Sequence, residues 1–181
     1  MVHSTSSLIQ VYLSLGGNEN NPLLTIKKAL SCISSHPHIF HLTFSHFYCT
    51  QPVEVSDSDT WFINAVCTFQ TALSLKEVTT LTQKTERQLG KNDKPKNASR
   101  PIDIDILFYG SSTSQDNTIT IPHPKWQERL FVLIPLSDLT NKVTVQFIDG
   151  KREYNIKKMI SNFENHLSQA LYVLEKNPHI Q

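Results

Sequence analysis

The 181-residue chain lacks the features that mark extracellular, membrane or nucleic-acid-binding proteins. Its three cysteines (32, 49 and 67) form no metal-ligand spacing, which argues against a disulfide framework or structural zinc and favours a reducing compartment. Lys plus Arg number 17 and Asp plus Glu 16, so no basic excess marks a nucleic-acid surface. No apolar run approaches the ~20 residues that span a bilayer, and the start lacks a basic signal-peptide region. We therefore expect a soluble cytoplasmic protein that binds neither nucleic acid nor membrane.

The composition that remains is enough for one folded domain. Hydrophobic residues make up 39% of the chain and charged residues 18%, which excludes a disordered or coiled-coil protein. A chain of this length usually forms one domain and buries enough surface to need no metal or disulfide support. Without internal repeats or low-complexity linkers, we expect a single domain over residues 1–181. Its motifs lie within 13–136, and residues 137–181 add a hairpin and a C-terminal helix.

Strand and helix patterns alternate through the first two-thirds of the chain. Runs of β-branched and aromatic residues predict strands at 8–15, 40–50, 61–72 and 102–108. Asn21-Pro22 predicts the start of one helix, and the Ser74–Glu77 capping box predicts a second helix that ends at Gly90. The order β-α-β-β-α-β predicts an α+β, ferredoxin-like sandwich: an antiparallel sheet with helices on one face.

The strand at 61–72 has two different faces. Its core face is predicted to carry Ile63, Ala65, Cys67 and Phe69. Phe62 and Asn64 share the opposite face, where an aromatic ring and an amide can contact a ligand. Towards the C-terminus, a turn at 149–150 predicts a hairpin over 143–154, and helical spacing from 156 to 174 predicts an amphipathic helix.

The segment 100–108 carries the strongest chemical signal. Alternation along a strand puts Asp103 and Asp105 on one face, about 7 Å apart at Cα. The other face is then apolar, with Ile102, Ile104, Ile106 and Phe108. Neighbouring carboxylates repel unless a cation lies between them, and hard oxygen ligands suit Mg²⁺, which adds water and phosphate oxygens. The alternative is an edge strand with its acidic face in water. Arg100 and the lysines at 91, 94 and 96 favour the metal, because a polyphosphate needs both cations and magnesium ligands.

Other candidate residues are ambiguous when each is taken alone. The Gly16-Gly17 turn lets a ligand approach the backbone closely, but it is also an ordinary turn. His123, between two prolines, and Arg129 are equally compatible with surface or packing roles. Glu86 has the pattern of a solvated helix charge.

Taken together, the segments resemble one known family. The matching segments, in chain order, are Leu13-Ser14-Leu15-Gly16-Gly17-Asn18, Phe47-Tyr48-x-Thr50-x-Pro52, Phe62-Ile63-Asn64-Ala65-Val66, Glu86-x-x-x-Gly90-Lys91, Arg100-x-x-Asp103-x-Asp105-Ile106-Leu107, and Ile121-Pro122-His123-Pro124 followed by Arg129-x-Phe131-Val132-Leu133-x-Pro135-Leu136. This order resembles 6-hydroxymethyl-7,8-dihydropterin pyrophosphokinase of folate biosynthesis. The resemblance covers more than two-thirds of the chain.

The resemblance implies an ATP-dependent diphosphokinase that transfers pyrophosphate to the pterin hydroxymethyl group and releases AMP. It implies two magnesium ions held by Asp103 and Asp105. The catalytic residues it implies are Arg100, Asp103, Asp105, His123 and Arg129. The implied ATP-binding residues are Glu86, Lys91, Arg100, His123 and Arg129. The implied pterin-binding residues are Gly16, Thr50, Val53, Phe62, Asn64 and Phe131, with the two phenylalanine rings sandwiching the pterin. The activity often occurs fused to other folate-pathway enzymes, which are therefore expected partners.

Three positions depart from the family pattern. Asn97-Ala98-Ser99 stands where an aromatic-Gly-Pro tripeptide is frequent, which predicts altered closure of a loop over ATP. Lys91 stands where arginine is frequent and keeps the charge without the bidentate fork. Phe62 stands where tyrosine is common and drops one hydroxyl.

Two other functions fit parts of the pattern. Another magnesium-nucleotide transferase would use the paired aspartates, as Asp-x-Asp glycosyltransferases do, although those usually have larger doubly wound domains. A non-catalytic ferredoxin-like binding module would explain the elements. It would not explain why cations, paired aspartates and a pterin-sized aromatic face coincide.

Overall fold

A computed structural model describes residues 7–51, 61–92, 99–115, 119–163 and 171–179. The strands are β1 (Ile9–Gly17), β2 (Ile39–Phe44), β3 (Phe47–Thr50), β4 (Phe62–Thr71), β5 (Asp103–Tyr109), β6 (Ser114–Gln115), β7 (Thr120–Ile121), β8 (Lys142–Phe147), β9 (Gly150–Asn155) and β10 (Leu171–Glu175). The helices are α1 (Pro22–Ser34), α2 (Leu75–Gln88), α3 (Leu130–Leu139) and α4 (Ile156–Phe163), with a 3-10 turn at Trp126–Glu128. None of the described helices is long and apolar enough to cross a membrane.

An antiparallel sheet forms the centre of the fold. Its strands run in the order β10-β3-β4-β1-β5, and β2 pairs with β4 beside β3. This confirms the α+β class and the ferredoxin-like arrangement, with the predicted second strand divided into β2 and β3. The predicted helix starts are also correct, since Asn21 accepts a hydrogen bond from the Leu24 amide and Ser74 and Glu77 cap each other.

Helices cover both faces of the sheet, so the expectation of helices on one face was wrong. Side chains of α1 and α2 pack with the inner residues of β1 and β4 in one apolar cluster. The opposite cluster contains side chains of β5, α3, the β8–β9 hairpin and α4. The sequence pattern missed α3 because it is apolar on all sides and contains Pro135, so it shows neither helical periodicity nor an uninterrupted helical sequence.

A bulge interrupts β5 close to the paired aspartates. Leu13 pairs with Ile106 and Tyr12 with Phe108, which leaves Leu107 as an extra residue. As a result Phe108 packs in the apolar cluster that contains α3 (the α3 cluster). Ile102, Ile104 and Ile106 pack in the cluster on the opposite face, which contains α1 and α2 (the α1–α2 cluster). The prediction that all four side chains share one face therefore fails at Phe108. The bulged Leu107 carbonyl accepts the His123 amide at 3.1 Å, which ties the following loop to β5.

The predicted strand at 40–50 is two strands. Ser45 lies between β2 and β3, where its amide donates to the Val66 carbonyl and its hydroxyl accepts the Val66 amide. The register with β4 shifts by one residue between Phe44 and Tyr48. Phe44 therefore packs against the α1–α2 cluster, whereas Tyr48 faces α3 and donates to Asp138 at 2.9 Å.

The C-terminal segment also differs from its prediction. The hairpin forms as expected, as β8 and β9. The described part of the helix ends at Phe163, and Leu171 and Leu174 belong to β10, which pairs with β3. Asn177 then holds the segment after β10 against β2 and β3, because its backbone amide donates to His46 Nδ1 at 2.9 Å. Residues predicted to extend one helix therefore lengthen the sheet instead.

Candidate active site

The first half of β5 presents the paired aspartates beside two cationic side chains. Asp103 accepts Lys91 Nζ on Oδ1 at 2.6 Å and Arg100 Nη1 on Oδ2 at 2.8 Å. Asp105 follows on the same strand, and the His123 imidazole approaches it, with Nε2 3.8 Å from Asp105 Oδ2. The predicted grouping of carboxylates and cations is therefore correct as geometry for Asp103, Arg100 and Lys91, whereas Lys94 and Lys96 lie outside the described residues. The catalytic roles remain predictions.

Glu86 contacts Lys91 and β5 next to these charged residues. It lies on the last turn of α2, and its side chain is 8% exposed. Its Oε1 accepts Lys91 Nζ at 2.6 Å and the Ile104 amide at 2.7 Å, so it links α2, the Lys91 side chain and β5. Glu86 is therefore not the solvated helix charge that its sequence position also allowed.

The acid–base properties of the cluster follow from this burial. Burial raises the pKa of Glu86, although the Lys91 charge and the Ile104 amide oppose the change. Burial alone would lower the pKa of Lys91, but hydrogen bonds to Asp103 and Glu86 outweigh it and raise the pKa above its ordinary value. Lys91 is therefore a permanent cation at neutral pH.

The pKa values of Asp105 and His123 are changed more by burial than by the charge that each group exerts on the other. Asp105 is 41% exposed by side-chain surface, yet crowding by protein atoms removes hydration and raises its pKa, and the Asp103 charge raises it further. Partial burial lowers the pKa of His123, against the attraction of Asp105. Arg129 acts on both groups as a nearby positive charge, and its guanidinium lies 5.4 Å from the centre of the Phe131 ring.

An open cavity of about 350 Å³ adjoins the carboxylates. Its walls come from α2, β5, the β7 strand and the loop that follows β7. Its titratable lining residues are Glu86, Lys91, Asp105 and His123. Ile104, Ile106 and Ile119 supply apolar surface, and hydroxyl and amide groups of Thr79, Thr82, Gln83 and Thr120 complete the lining. A cavity lined by charged, polar and apolar groups together fits a ligand that carries both charge and apolar surface.

The other predicted face lies across β1, β3 and β4. Asn64 is 4% exposed, and its Nδ2 donates to Thr50 Oγ1 at 2.8 Å. Gly16 pairs with Asn64 across the sheet, and a Cβ built on Gly16 would lie 2.5 Å from Asn64 Oδ1. The missing side chain at Gly16 therefore makes room for the Asn64 amide. These three residues are brought together as predicted.

The two phenylalanines of the predicted sandwich lie on different elements. Phe62 begins β4 and Phe131 lies in the first turn of α3, which packs across β4; both rings are half-buried. Val53 lies outside the described residues, as do Asn97 and Ala98. The predicted Gly16-Gly17 turn is wrong, because both glycines are the last residues of β1 and pair with β4. Asn18 follows them and is buried, and its contact with Arg100 was not predicted because it joins residues far apart in the sequence.

The donor set around β5 fits magnesium only together with a substrate. Among the described residues, no group of three or more His, Cys, Asp or Glu side chains forms a metal cage. Two carboxylates on one strand face are the protein share that Mg²⁺ usually takes when phosphate oxygens supply the rest. Both oxygens of Asp103 hold cations, so a metal there needs another anion to take over Lys91 and Arg100.

We predict that the buried Glu86 side chain contributes to the stability of the fold. Replacing Glu86 by alanine leaves the Ile104 amide unpaired and removes one of the two acceptors of Lys91, so the free energy of unfolding should fall by roughly 2 kcal/mol. Urea unfolding measures the change. The matched control is Glu153→Ala, which breaks the exposed pair with Lys142 and should cost under about 1 kcal/mol. Equal losses in the two variants would contradict the supporting role of Glu86.

Comparison with known proteins identifies the family of this chain. Residues 12–141 match the family model described as 7,8-dihydro-6-hydroxymethylpterin-pyrophosphokinase. A 2-amino-4-hydroxy-6-hydroxymethyldihydropteridine pyrophosphokinase from Haemophilus influenzae is 29% identical over 159 residues, 88% of this chain and 96% of that protein. One from Helicobacter pylori is 35% identical over 130 residues, 71% of this chain and 79% of that protein.

Larger proteins contain similar segments. A mitochondrial folate synthesis bifunctional protein of Arabidopsis thaliana is 34% identical over 137 residues, 72% of this chain but 23% of that protein. A crystal structure of Plasmodium falciparum HPPK-DHPS has the same fold, with a TM-score of 0.68, 12% identity and coverage of 91% of this chain. This chain spans about half (47%) of that solved chain. The match over residues 12–141 shows that the chain belongs to the 7,8-dihydro-6-hydroxymethylpterin-pyrophosphokinase family, and so to a family of transferases.

Proposed function

We propose that this chain transfers pyrophosphate from ATP to 6-hydroxymethyl-7,8-dihydropterin in a magnesium-dependent step of folate biosynthesis. The observation that carries the proposal is the β5 cluster, in which Asp103 and Asp105 lie beside an open cavity with three cations, Lys91, Arg100 and Arg129, and the His123 imidazole. The buried Asn64–Thr50 pair supplies a separate polar surface for the second substrate.

The cavity suits the nucleoside part of ATP. Its apolar walls on β5 and the loop before β7 can cover a flat base, while Gln83 and the threonines of α2 offer polar contacts. The charged side chains that line the cavity then receive the triphosphate. Lys91, Arg100, His123 and Arg129 are the groups that would bind its oxygens, and arginine does so through a planar, multidentate donor set.

Phosphate binding also frees the metal ligands. Lys91 and Arg100 hold Asp103 in the structure described here, and triphosphate oxygens compete for the same two cations. Asp103 and Asp105 can then hold two magnesium ions with the phosphates. Bound magnesium would neutralise charge on the attacking and leaving oxygens of the displacement.

The pterin would lie over Asn64 and Thr50, between Phe62 and Phe131. The amide of Asn64 carries both a donor and an acceptor, which suits an aminopyrimidinone edge. The hydroxymethyl oxygen attacks the β-phosphorus of ATP, forming a new O–P bond while the bond from the β-phosphorus to the α–β bridging oxygen breaks. Asp103 would orient the hydroxyl and accept its proton, and AMP would leave with the bridging oxygen. Arg100 would stabilise the charge that develops on the transferred group.

Nucleotide product analysis tests the proposed function. The protein is mixed with ATP, Mg²⁺ and 6-hydroxymethyl-7,8-dihydropterin, and AMP is separated from ADP by ion exchange. We expect AMP that depends on the pterin, without ADP. Formation of ADP would instead show a simple kinase that uses the same cluster, and a folded protein without turnover would favour the binding-module alternative.

The fused relatives support a further partner proposal. The Arabidopsis and Plasmodium proteins are named for two functions in one chain, so we propose that this domain works beside other folate-pathway enzymes. Co-purification of the chain with those enzymes, expressed together, would test the association.

A further inference from the structure

The end of β1 is joined to the residue before the β5 aspartates by a set of short contacts. The backbone amide of Asn18 donates to the Arg100 carbonyl at 3.1 Å, and the backbone amide of Arg100 donates to Asn18 Oδ1 at 2.9 Å. Asn18 Nδ2 also donates to Ser99 Oγ at 3.1 Å. Asn18 is 7% exposed, so these bonds are shielded from water.

Gly17 lets the two segments approach this closely. A Cβ built on Gly17 would overlap the Pro101 carbonyl oxygen and lie 3.5 Å from the Arg100 carbonyl oxygen. The backbones of 17–18 and 99–101 are therefore packed against each other, with the Asn18 side chain as the polar link. The direction of the Arg100 side chain follows from this fixed backbone, and its guanidinium reaches Asp103 at 2.8 Å.

We propose that Asn18 is a positioning residue that sets the place of Arg100 relative to the triphosphate. The inference rests on the proposed function, because it assumes that Arg100 binds phosphate oxygens. A side chain that binds a phosphate well loses affinity when its backbone moves by a fraction of an ångström, since charge-assisted hydrogen bonds depend on geometry. Asn18 acts through Arg100 and has no substrate contact of its own in this proposal.

The hydroxyl of Ser99 accepts a hydrogen bond from the side-chain amide group of Asn18. Ser99 thus gives Asn18 a second attachment on the segment that leads into Arg100.

Binding of two nucleotides separates positioning from simple stability. The probes are α,β-methylene-ATP, in which the bond that would be cleaved is blocked, and AMP, which lacks the β- and γ-phosphates; both are titrated with Mg²⁺ by calorimetry. In Asn18→Ala we expect the Kd of the analogue to rise about tenfold, as for one lost charge-assisted hydrogen bond, while the Kd of AMP changes less than about twofold. A purely structural defect would weaken both ligands together.

Four further variants complete the test. In an Arg100→Ala background, Asn18→Ala should add no further loss of analogue affinity, because the residue on which it acts is gone. Asn18→Asp keeps an acceptor for the Arg100 amide and should restore most of the affinity. Should Asn18→Ala fail to fold, Asn18→Ser serves instead, since its side chain is too short to reach the Arg100 amide. Ser99→Ala should weaken the analogue only about twofold, since it removes one neutral hydrogen bond.

The outcomes separate this inference from the proposed function. A folded Asn18→Ala or Asn18→Ser variant with unchanged affinity for the analogue would overturn the positioning role, as would an equal loss from Asn18→Ala in the Arg100→Ala background. A wild-type protein that binds the analogue but forms no AMP would overturn the proposed function and leave the Asn18 result standing. A wild-type protein that does not bind the analogue would overturn both.

Discussion

Replacing Asp105 by asparagine should reduce pterin-dependent AMP formation by at least about 1000-fold, the rate equivalent of the several kcal/mol that a metal contributes to stabilising charge in a transition state. Asparagine has nearly the same shape but no charge, so one of the two proposed metal ligands is lost. The measurement is kcat for AMP release with saturating ATP and Mg²⁺. Turnover at the wild-type rate would contradict the metal assignment.

The same substitution should not weaken the fold, and this makes the expectation specific. Crowding and the neighbouring Asp103 charge both disfavour a charged Asp105, as its raised pKa indicates. Removing that charge should therefore leave the free energy of unfolding unchanged or raise it by up to about 1 kcal/mol. The matched control is Asp149→Asn, the same chemical change at an exposed pair with Arg152, which should leave AMP formation unchanged.

A second readout needs no turnover. Mn²⁺, observed by electron paramagnetic resonance, reports metal binding directly. Because Lys91 and Arg100 occupy Asp103, we expect weak Mn²⁺ binding by the protein alone and strong binding with α,β-methylene-ATP. In Asp105→Asn, the nucleotide-dependent binding should weaken. Equal Mn²⁺ binding with and without nucleotide would show that Lys91 and Arg100 do not compete with the metal.

The sequence predicted the framework of this site because its signals are local. Alternation along a strand was enough to place Asp103 and Asp105 together, and the Ser74 capping box and Gly90 set the limits of α2 correctly. The same rule failed at Phe108, because alternation assumes an unbroken ladder and Leu107 is an extra residue.

Features that depend on distant partners were not predictable. The sequence position of Glu86 indicates a solvated charge, whereas in the structure its side chain accepts the Ile104 amide of β5 and Lys91 Nζ. The sequence position of Asn18 indicates a turn residue, whereas in the structure its side chain forms hydrogen bonds with Ser99 and Arg100, more than 80 positions later. Each of these contacts joins a polar side chain to backbone or side-chain groups whose position only the assembled sheet defines.

Replacing Asn64 by alanine should weaken pterin binding about 100-fold and ATP-analogue binding less than about twofold. The reason is that the amide is buried on β4, away from the cavity proposed for ATP, and a buried polar partner lost from a hydrogen-bonded ligand costs up to about 3 kcal/mol. Calorimetry with each substrate, using α,β-methylene-ATP in place of ATP, measures both affinities. Asn155→Ala, which removes an exposed amide that caps α4, is the matched control and should change neither affinity.

A second substitution reaches the same amide from the opposite strand. In Gly16→Ala the new methyl group would lie 2.5 Å from Asn64 Oδ1, so the Asn64 amide must turn and lose its geometry with Thr50. Gly16→Ala should therefore reproduce the selective loss of pterin affinity while Asn64 itself is retained, and adding it to Asn64→Ala should have little further effect. Equal losses of pterin and nucleotide affinity in either variant would show that this face does not belong to the pterin. A selective loss in both would trace the specificity to the orientation of one buried amide, which the absence of a side chain at Gly16 permits.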